Sequence, residues 1–327
     1  MDVVYAARYR IEIGQHVFPT QKYELVHARL LETRVIEPAD VVEPSPAGWD
    51  DLARVHTPDY LARMRVGTLS RDEIAQLELP WSQEIVDGFR LMVGGTIEAA
   101  QRACGLEVRS LKSEVRRATS GFEPQTSHFQ VSCHLGGGLH HAFPNHGEGF
   151  CPFNDVAVAV RELQMHGVER VAIVDLDVHH GNGTAFIFES DPRVFTFSMH
   201  QQHNYPMWKP AGTLDVGLPD GAGDARYLRD LEHALPTVMA SDPQCVFYLA
   251  GADPYEDDQL GGLRMTRGGL RQRDRLVIET VRAAGVPLVI TLAGGYARRI
   301  EDTVDIHTAT IEEARNATTK ARKHEKE

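Results

Sequence analysis

The 327-residue sequence has four cysteines, Cys104, Cys133, Cys151 and Cys245, and no two of them stand in a CxxC spacing. That scarcity argues against a disulfide framework and against a cysteine-held zinc site; it fits reduced thiols in a cytoplasmic protein. Long apolar runs are missing too. The longest, Val286 to Ala293, is less than half of a membrane span. The first ten residues carry Arg8 and Arg10 and no apolar core, so no secretory signal is expected. Positive charge is in deficit: 34 Lys and Arg against 46 Asp and Glu leave a formal charge of −12. Such a body has no general grip on a phosphate backbone, so neither nucleic acid nor a membrane is an expected partner. A cationic partner, such as a lysine-rich tail or a polyamine, would be steered in. Internal repeats and low-complexity linkers are also lacking.

What is present is a βα alternation. Val171 to Val178, Arg193 to Ser198, Gln244 to Ala250 and Val286 to Leu292 read as buried strands. Asp155–Met165, Tyr227–Met239 and Thr266–Ala284 read as the helices between them. Strands apolar on both faces, alternating with helices, predict a single α/β domain with a central parallel sheet flanked by helices. In such sheets the ligand site lies outside the carboxyl ends of the strands. Each of the four strands ends in a loop rich in Asp, His or Gly. Two segments fit less well: 102–130 reads as a helix tail and a surface insertion, and 315–327 as a charged, solvated C-terminal tail.

Histidine is over-supplied. There are 16, and His128, His134, His140, His141 and His146 fall close together. The strongest local signal is Asp175-Leu-Asp-Val-His-His-Gly-Asn-Gly-Thr184. Strand alternation would put Asp175, Asp177 and His179 on one face. Two buried carboxylates and an imidazole need a counter-charge, and a divalent metal with mixed N and O ligands, such as zinc, supplies one. A hydrogen-bonded turn into the next helix would explain Gly181 and Gly183, but not three ionisable groups on one face. The second signal, Gly136-Gly-Gly-Leu-His-His-Ala142 with Gly149-Phe-Cys-Pro-Phe-Asn-Asp155, places two imidazoles where backbone can approach a ligand. General base and electrostatic partner are their natural roles. In the third, Ala250-Gly-Ala-Asp-Pro-Tyr-Glu-Asp-Asp258, Asp253 could complete a metal triad, and Asp257 and Asp258 read as solvated or capping residues. In the fourth, Leu292-Ala-Gly-Gly-Tyr296, the tyrosine either donates to a developing oxyanion or packs as an ordinary aromatic.

Together these segments resemble the histone deacetylase family of zinc-dependent amidohydrolases, over roughly His134 to Ile300. Val55-His-Thr-Pro-Asp-Tyr-Leu61 is similar to a recurrent family segment, and His16-Val-Phe-Pro-Thr-Gln-Lys-Tyr23, together with Gly251 to Leu263, is closest to the class IV-like branch and its bacterial relatives. The resemblance implies the arginase–deacetylase fold and hydrolysis of an N-acyl amide, above all acyl-lysine in a protein or peptide. A small acylated amine such as an acetylpolyamine is the alternative substrate. It implies zinc, one per chain, on Asp177, His179 and Asp253, with His140 and His141 as tandem catalytic histidines. Asp175 would pair with His140 and Asn182 with His141, while Tyr296 polarises the carbonyl. Gly149, Phe150, Tyr205, Gly294 and Gly295 would line the substrate tunnel. A structural potassium ion is implied near Asp175, Asp177, His179 and Ser198.

Three departures stand out. Asn182 occupies a position where some classes have Asp, leaving His141 without a charged partner. The glycine run before Tyr296 is short, and the stretch after Ser198 does not match the usual tunnel wall. Two other readings remain on the same residues: a two-metal ureohydrolase-like enzyme, which needs bridging carboxylates, and a non-catalytic acyl-binding module, which would lack a ligand or the tyrosine. Acyl-chain length is open. Small residues such as Ala142, Ala252 and Ala293 would leave a pocket for a long chain, whereas Leu139 or Met199 would close it.

Overall fold

In the computed structural model, which describes residues 1–106 and 129–324, eight strands form one parallel sheet. They are β1 (Asp2–Val4), β2 (Val41–Val42), β3 (Val131–His134), β4 (Val171–Asp175), β5 (Val194–Gln201), β6 (Leu214–Leu218), β7 (Cys245–Leu249) and β8 (Leu288–Thr291). Their order is β2-β1-β3-β8-β7-β4-β5-β6. The central strands β3, β4, β7 and β8 are buried at every position. That is the expected condition of a parallel sheet covered on both faces, and it explains why their sequences are nearly unbroken apolar runs. Helices begin where side chains can satisfy free N–H groups. Asn154 accepts from Ala157 N at 2.9 Å to start the helix Asp155–Met165, and Thr266 accepts from Gly269 N at 3.0 Å to start Arg267–Ala283.

The strand order decides where the chemistry gathers. β3, β8, β7 and β4 are consecutive neighbours, and the four sequence signals lie in the loops that follow them; β3 was not among the expected strands, and β5, which was, lies outside this group. One buried residue ties two of them together. Arg273, fully buried, donates to Gly251 O at 2.6 Å and to Leu176 O at 3.3 Å, fastening the loops after β7 and β4. Its charge is answered by Asp274 at 2.8 Å, which also accepts from Tyr248 Oη at 2.5 Å and Thr310 Oγ1 at 2.7 Å. A buried guanidinium is costly unless paired in this way.

The strands are shorter than their apolar runs. β4 ends at Asp175 rather than at Val178. The convergence of Asp175, Asp177 and His179 therefore comes from a loop, not from pleat alternation. Asp175 Oδ1 accepts Asp177 N at 3.2 Å and Asp177 Oδ1 accepts His179 N at 3.0 Å, so each side chain bends the backbone two residues on. β5, conversely, runs on through His200 to Gln201, so the loop carrying Tyr205 starts later than the sequence implied. Of the segment 102–130, the helix Gln83–Ala103 ends at its start, and the expected insertion at 107–128 lies outside the described residues. The segment 315–327 continues the final helix, Ile300–His324, where Ala317 and Thr318 are buried and Arg315 pairs with Asp40. Its last three residues lie outside the described ones.

Candidate active site

The loop after β3 is held from below. Asp155 accepts from Gly138 N at 3.0 Å, Leu139 N at 2.7 Å and Thr96 Oγ1 at 2.5 Å, and Thr96 Oγ1 also meets His134 Nδ1 at 2.9 Å. This buried platform presents His140 and His141. His140 Nδ1 lies 2.7 Å from Asp175 Oδ2, and His141 Nδ1 lies 2.7 Å from Asn182 Oδ1. The two Nε2 atoms are 3.1 Å apart. Burial alone would lower the pKa of His140, but the carboxylates of Asp175 and Asp177 outweigh it and raise it to about 9. Burial pushes His141 well below the ordinary histidine range, and the positive charge of His140 pushes it further. At neutral pH one imidazole is charged and its neighbour is not.

Beside them, one ligand atom each from Asp177, His179 and Asp253 lies within 4.8 Å of the others, and all three residues are buried. Two observations fit these donors to a cation. Asp253 Oδ2 is buried without a hydrogen-bond partner, although Asp253 Oδ1 accepts Val178 N at 2.9 Å. And Gly294 donates its N–H to Asp177 Oδ2 at 2.8 Å from so close that a Cβ there would stand 2.0 Å from Asp253 Oδ2. Two carboxylate oxygens and an imidazole nitrogen are a donor set that suits zinc.

Tyr296 faces the same space, its ring centroid 6.5 Å from that of His179. Burial, and then the charges of Asp177 and Asp253, hold its phenol well above the usual range, so it remains a donor. The narrow cavity enclosed by these groups, about 30 Å³, is also lined by Phe18, Leu139, Gly149, Phe150 and Ala293. Gly149 and Phe150 both have positive φ, +52° and +66°, in a tight turn closed by Cys151 N donating to Glu148 O at 2.9 Å. A left-handed phenylalanine is uncommon and marks a position fixed by its surroundings. Tyr205 stands at the mouth, its ring 5.0 Å from that of His141. Gly295, at φ +150°, backs onto Thr303 rather than onto the cavity.

Ser198 is the sheet partner of Asp175, which puts the residues expected around potassium side by side, although its hydroxyl lies 3.0 Å from His200 Nδ1. His200, His180 and Asp215 form a second cluster of ligand-type side chains. It shares no residue with the first, so no carboxylate bridges the two.

Several residues that build the site have contacts the sequence did not report. Lys22, fully buried, donates to Ala293 O at 2.7 Å and lies 5.7 Å from the Tyr296 ring centroid. Burial lowers its pKa to about 8, against the opposing pull of Asp253 and Asp177. Asp258 is buried and caps a turn, accepting from Leu260 N, Gly261 N and, at 2.7 Å, Tyr296 N. Asn182, which appeared to leave His141 without charge nearby, donates from Nδ2 to Glu148 at 2.7 Å. A strand end and a motif spacing locate ligands; these contacts join residues distant in sequence, which no local pattern reports.

The histone deacetylase domain profile matches residues 16–311. The chain belongs to the histone deacetylase family. It is 43% identical over 317 residues to an uncharacterized protein of Picosynechococcus sp., covering 96% of this chain and 98% of that one. It is 30% identical to Histone deacetylase 2 of Arabidopsis thaliana over 93% of this chain and 78% of the relative. Among solved structures, a histone deacetylase homolog from Aquifex aeolicus superposes with a TM-score of 0.76 at 20% identity, covering 98% of this chain and 88% of that one, which establishes the shared fold. Membership of this deacetylase family implies a hydrolase acting on amides. Among the described residues, no helix is long and apolar enough to cross a membrane.

Proposed function

We propose that the protein is a zinc-dependent deacylase that hydrolyses the amide of an acyl-lysine side chain in a protein or peptide. The observation that carries this reading is the meeting, in one narrow cavity, of the Asp177–His179–Asp253 donor set, a charged and an uncharged histidine, and a phenol. Asp177, His179 and Asp253 would hold the ion, and a potassium ion near Asp175 and Ser198 would be structural. Zinc, when bound, supplies Lewis acidity that polarises the amide carbonyl and makes water reactive at neutral pH.

The chain's own groups divide the remaining work. His141, neutral with Nδ1 committed to Asn182, takes a proton from the attacking water at Nε2 and returns it to the leaving amine. His140 keeps its proton through its contact with Asp175 and stabilises negative charge nearby. Tyr296 donates its hydroxyl to the carbonyl oxygen as charge develops there. Phe150 and Tyr205 pack against the methylenes of the lysine stem, and Gly149 leaves them room. A ureohydrolase-like reading has no support from the two separate clusters, and a silent binding module has none from a site with every ligand and the tyrosine in place.

The test is a substrate panel with the zinc-loaded protein: acyl-lysine peptides against acetylpolyamines and ureido compounds. Turnover of the peptides above the others is expected. Selective turnover of acetylpolyamines would move the substrate class to small amines, and turnover of none of them would refute the reading.

A further inference from the structure

Glu148 sits in the turn that carries Gly149 and Phe150, and no role falls to it in the chemistry above. Its carboxylate is nevertheless the most heavily engaged group at the mouth. Oε1 accepts from Asn182 Nδ2 at 2.7 Å and from Tyr205 Oη at 2.9 Å; Oε2 accepts from Gln76 Nε2 at 3.0 Å and stands 3.5 Å from His146 Nε2. Burial opposes its ionisation, but these donors outweigh it and hold its carboxyl below the usual carboxylate range. It is therefore an acceptor only.

That property has a consequence two bonds away. The asparagine amide offers an oxygen on one side and an NH₂ on the other, and a half-turn exchanges them. Glu148 accepts only the NH₂, so Oδ1 of Asn182 must face His141. Oδ1 in turn accepts, so the hydrogen in the 2.7 Å contact belongs to His141 Nδ1. A neutral imidazole has one such hydrogen, and Nε2 is left with its lone pair toward the site.

We infer that Glu148 is a positioning residue that acts through Asn182: it fixes the amide and thereby the hydrogen on His141 Nδ1, leaving Nε2 free to take a proton. The chain replaces a carboxylate in direct contact with the histidine by an amide whose orientation a more distant carboxylate controls. The inference rests on the proposed deacylase reading for its catalytic meaning, but not for its structural test.

The experiment follows the ¹⁵N-bound proton of His141 Nδ1 by NMR in the full-length protein, alongside turnover of an acyl-lysine peptide. Wild type should show a hydrogen-bonded Nδ1–H and a bare Nε2. Glu148→Ala should weaken or lose that signal and lower kcat about tenfold or more, within the range general base catalysis commands; Glu148→Gln, which can present either an acceptor or a donor, should fall between. The pairing with Asn182→Asp is decisive. Alone, Asn182→Asp sets two carboxylates against each other and should impair the protein. In the Asn182→Asp background, where the aspartate itself accepts from Nδ1, Glu148→Ala should leave the Nδ1–H signal in place and raise kcat, reversing the sign of its effect. A merely structural Glu148 would act alike in both backgrounds. An unchanged His141 signal in Glu148→Ala, or the same loss in both backgrounds, would overturn the inference. Loss of the signal with turnover untouched would uphold it and instead remove His141 from its role as base.

Discussion

At the scale of single residues, the site depends on where donors point. Tyr296 is buried beside two carboxylates, and a phenylalanine there keeps the ring packing but removes the hydroxyl. Loss of one oxyanion donor typically costs on the order of 10²–10³ in rate. Tyr296→Phe should therefore retain its zinc content and unfolding midpoint while kcat falls by about that factor; parallel metal analysis and steady-state kinetics check it. Gly294 makes the opposite prediction. A Cβ at this position would meet Asp253 Oδ2 at 2.0 Å and Asp177 Oδ2 at 2.5 Å. Gly294→Ala should displace both carboxylates and lose zinc with little change in far-UV circular dichroism. Wild-type metal affinity in that variant would show that the two carboxylates do not act together as ligands.

At the scale of elements, the sequence reported some features well and others not at all. The helix Asp155–Met165 has the bounds its pattern predicts, and β4, β7 and β8 lie inside their apolar runs, because burial on both faces writes itself into residue choice. The metal and histidine motifs were legible for a related reason: each lies in the loops that follow such strands. Lys22 and Glu148 were not, and Asp258 was legible as a capping residue but not as a partner of Tyr296, since each acts on a segment far away in the chain. Acyl-chain length, left open by the small residues of the sequence, depends on the same long-range packing. Ala293 and Leu139 both line the cavity, whereas Met199 is buried elsewhere. Of the two residues expected to close the floor, Leu139 is the one in place to do so. With Leu139 at the cavity wall, catalytic efficiency on acetyl-, octanoyl- and myristoyl-lysine peptides of one sequence should fall monotonically; a rise toward octanoyl would show that the small residues leave room for a long chain.

At the scale of the whole molecule, the fold buries His134 and His56 as neutral groups, and this shapes its response to acid. Burial lowers His134 to about 3 and His56 to about 4, the latter against hydrogen bonds that its ring donates to the backbone carbonyls of Phe143 and Pro144. In the unfolded chain both titrate near 6.5. Between about pH 6.5 and 3 the unfolded state thus binds protons that these two groups refuse in the folded state, so the stability they contribute is full above that window and falls as pH falls through it. Urea unfolding at several pH values should show this slope, and His134→Gln should flatten it whatever its effect on absolute stability. An equal slope in wild type and variant would mean that His134 is not held neutral.

On the proposed reading, the four loops that the sheet order gathers let a metal, two histidines and a tyrosine act on one amide, and a single measurement tests this most directly. The protein is stripped by a chelator, then assayed on an acetyl-lysine peptide before and after stoichiometric zinc is returned. The account predicts negligible turnover in the stripped protein and recovery on addition of zinc, with about one ion bound per chain. Turnover that survives complete removal of metal would contradict it.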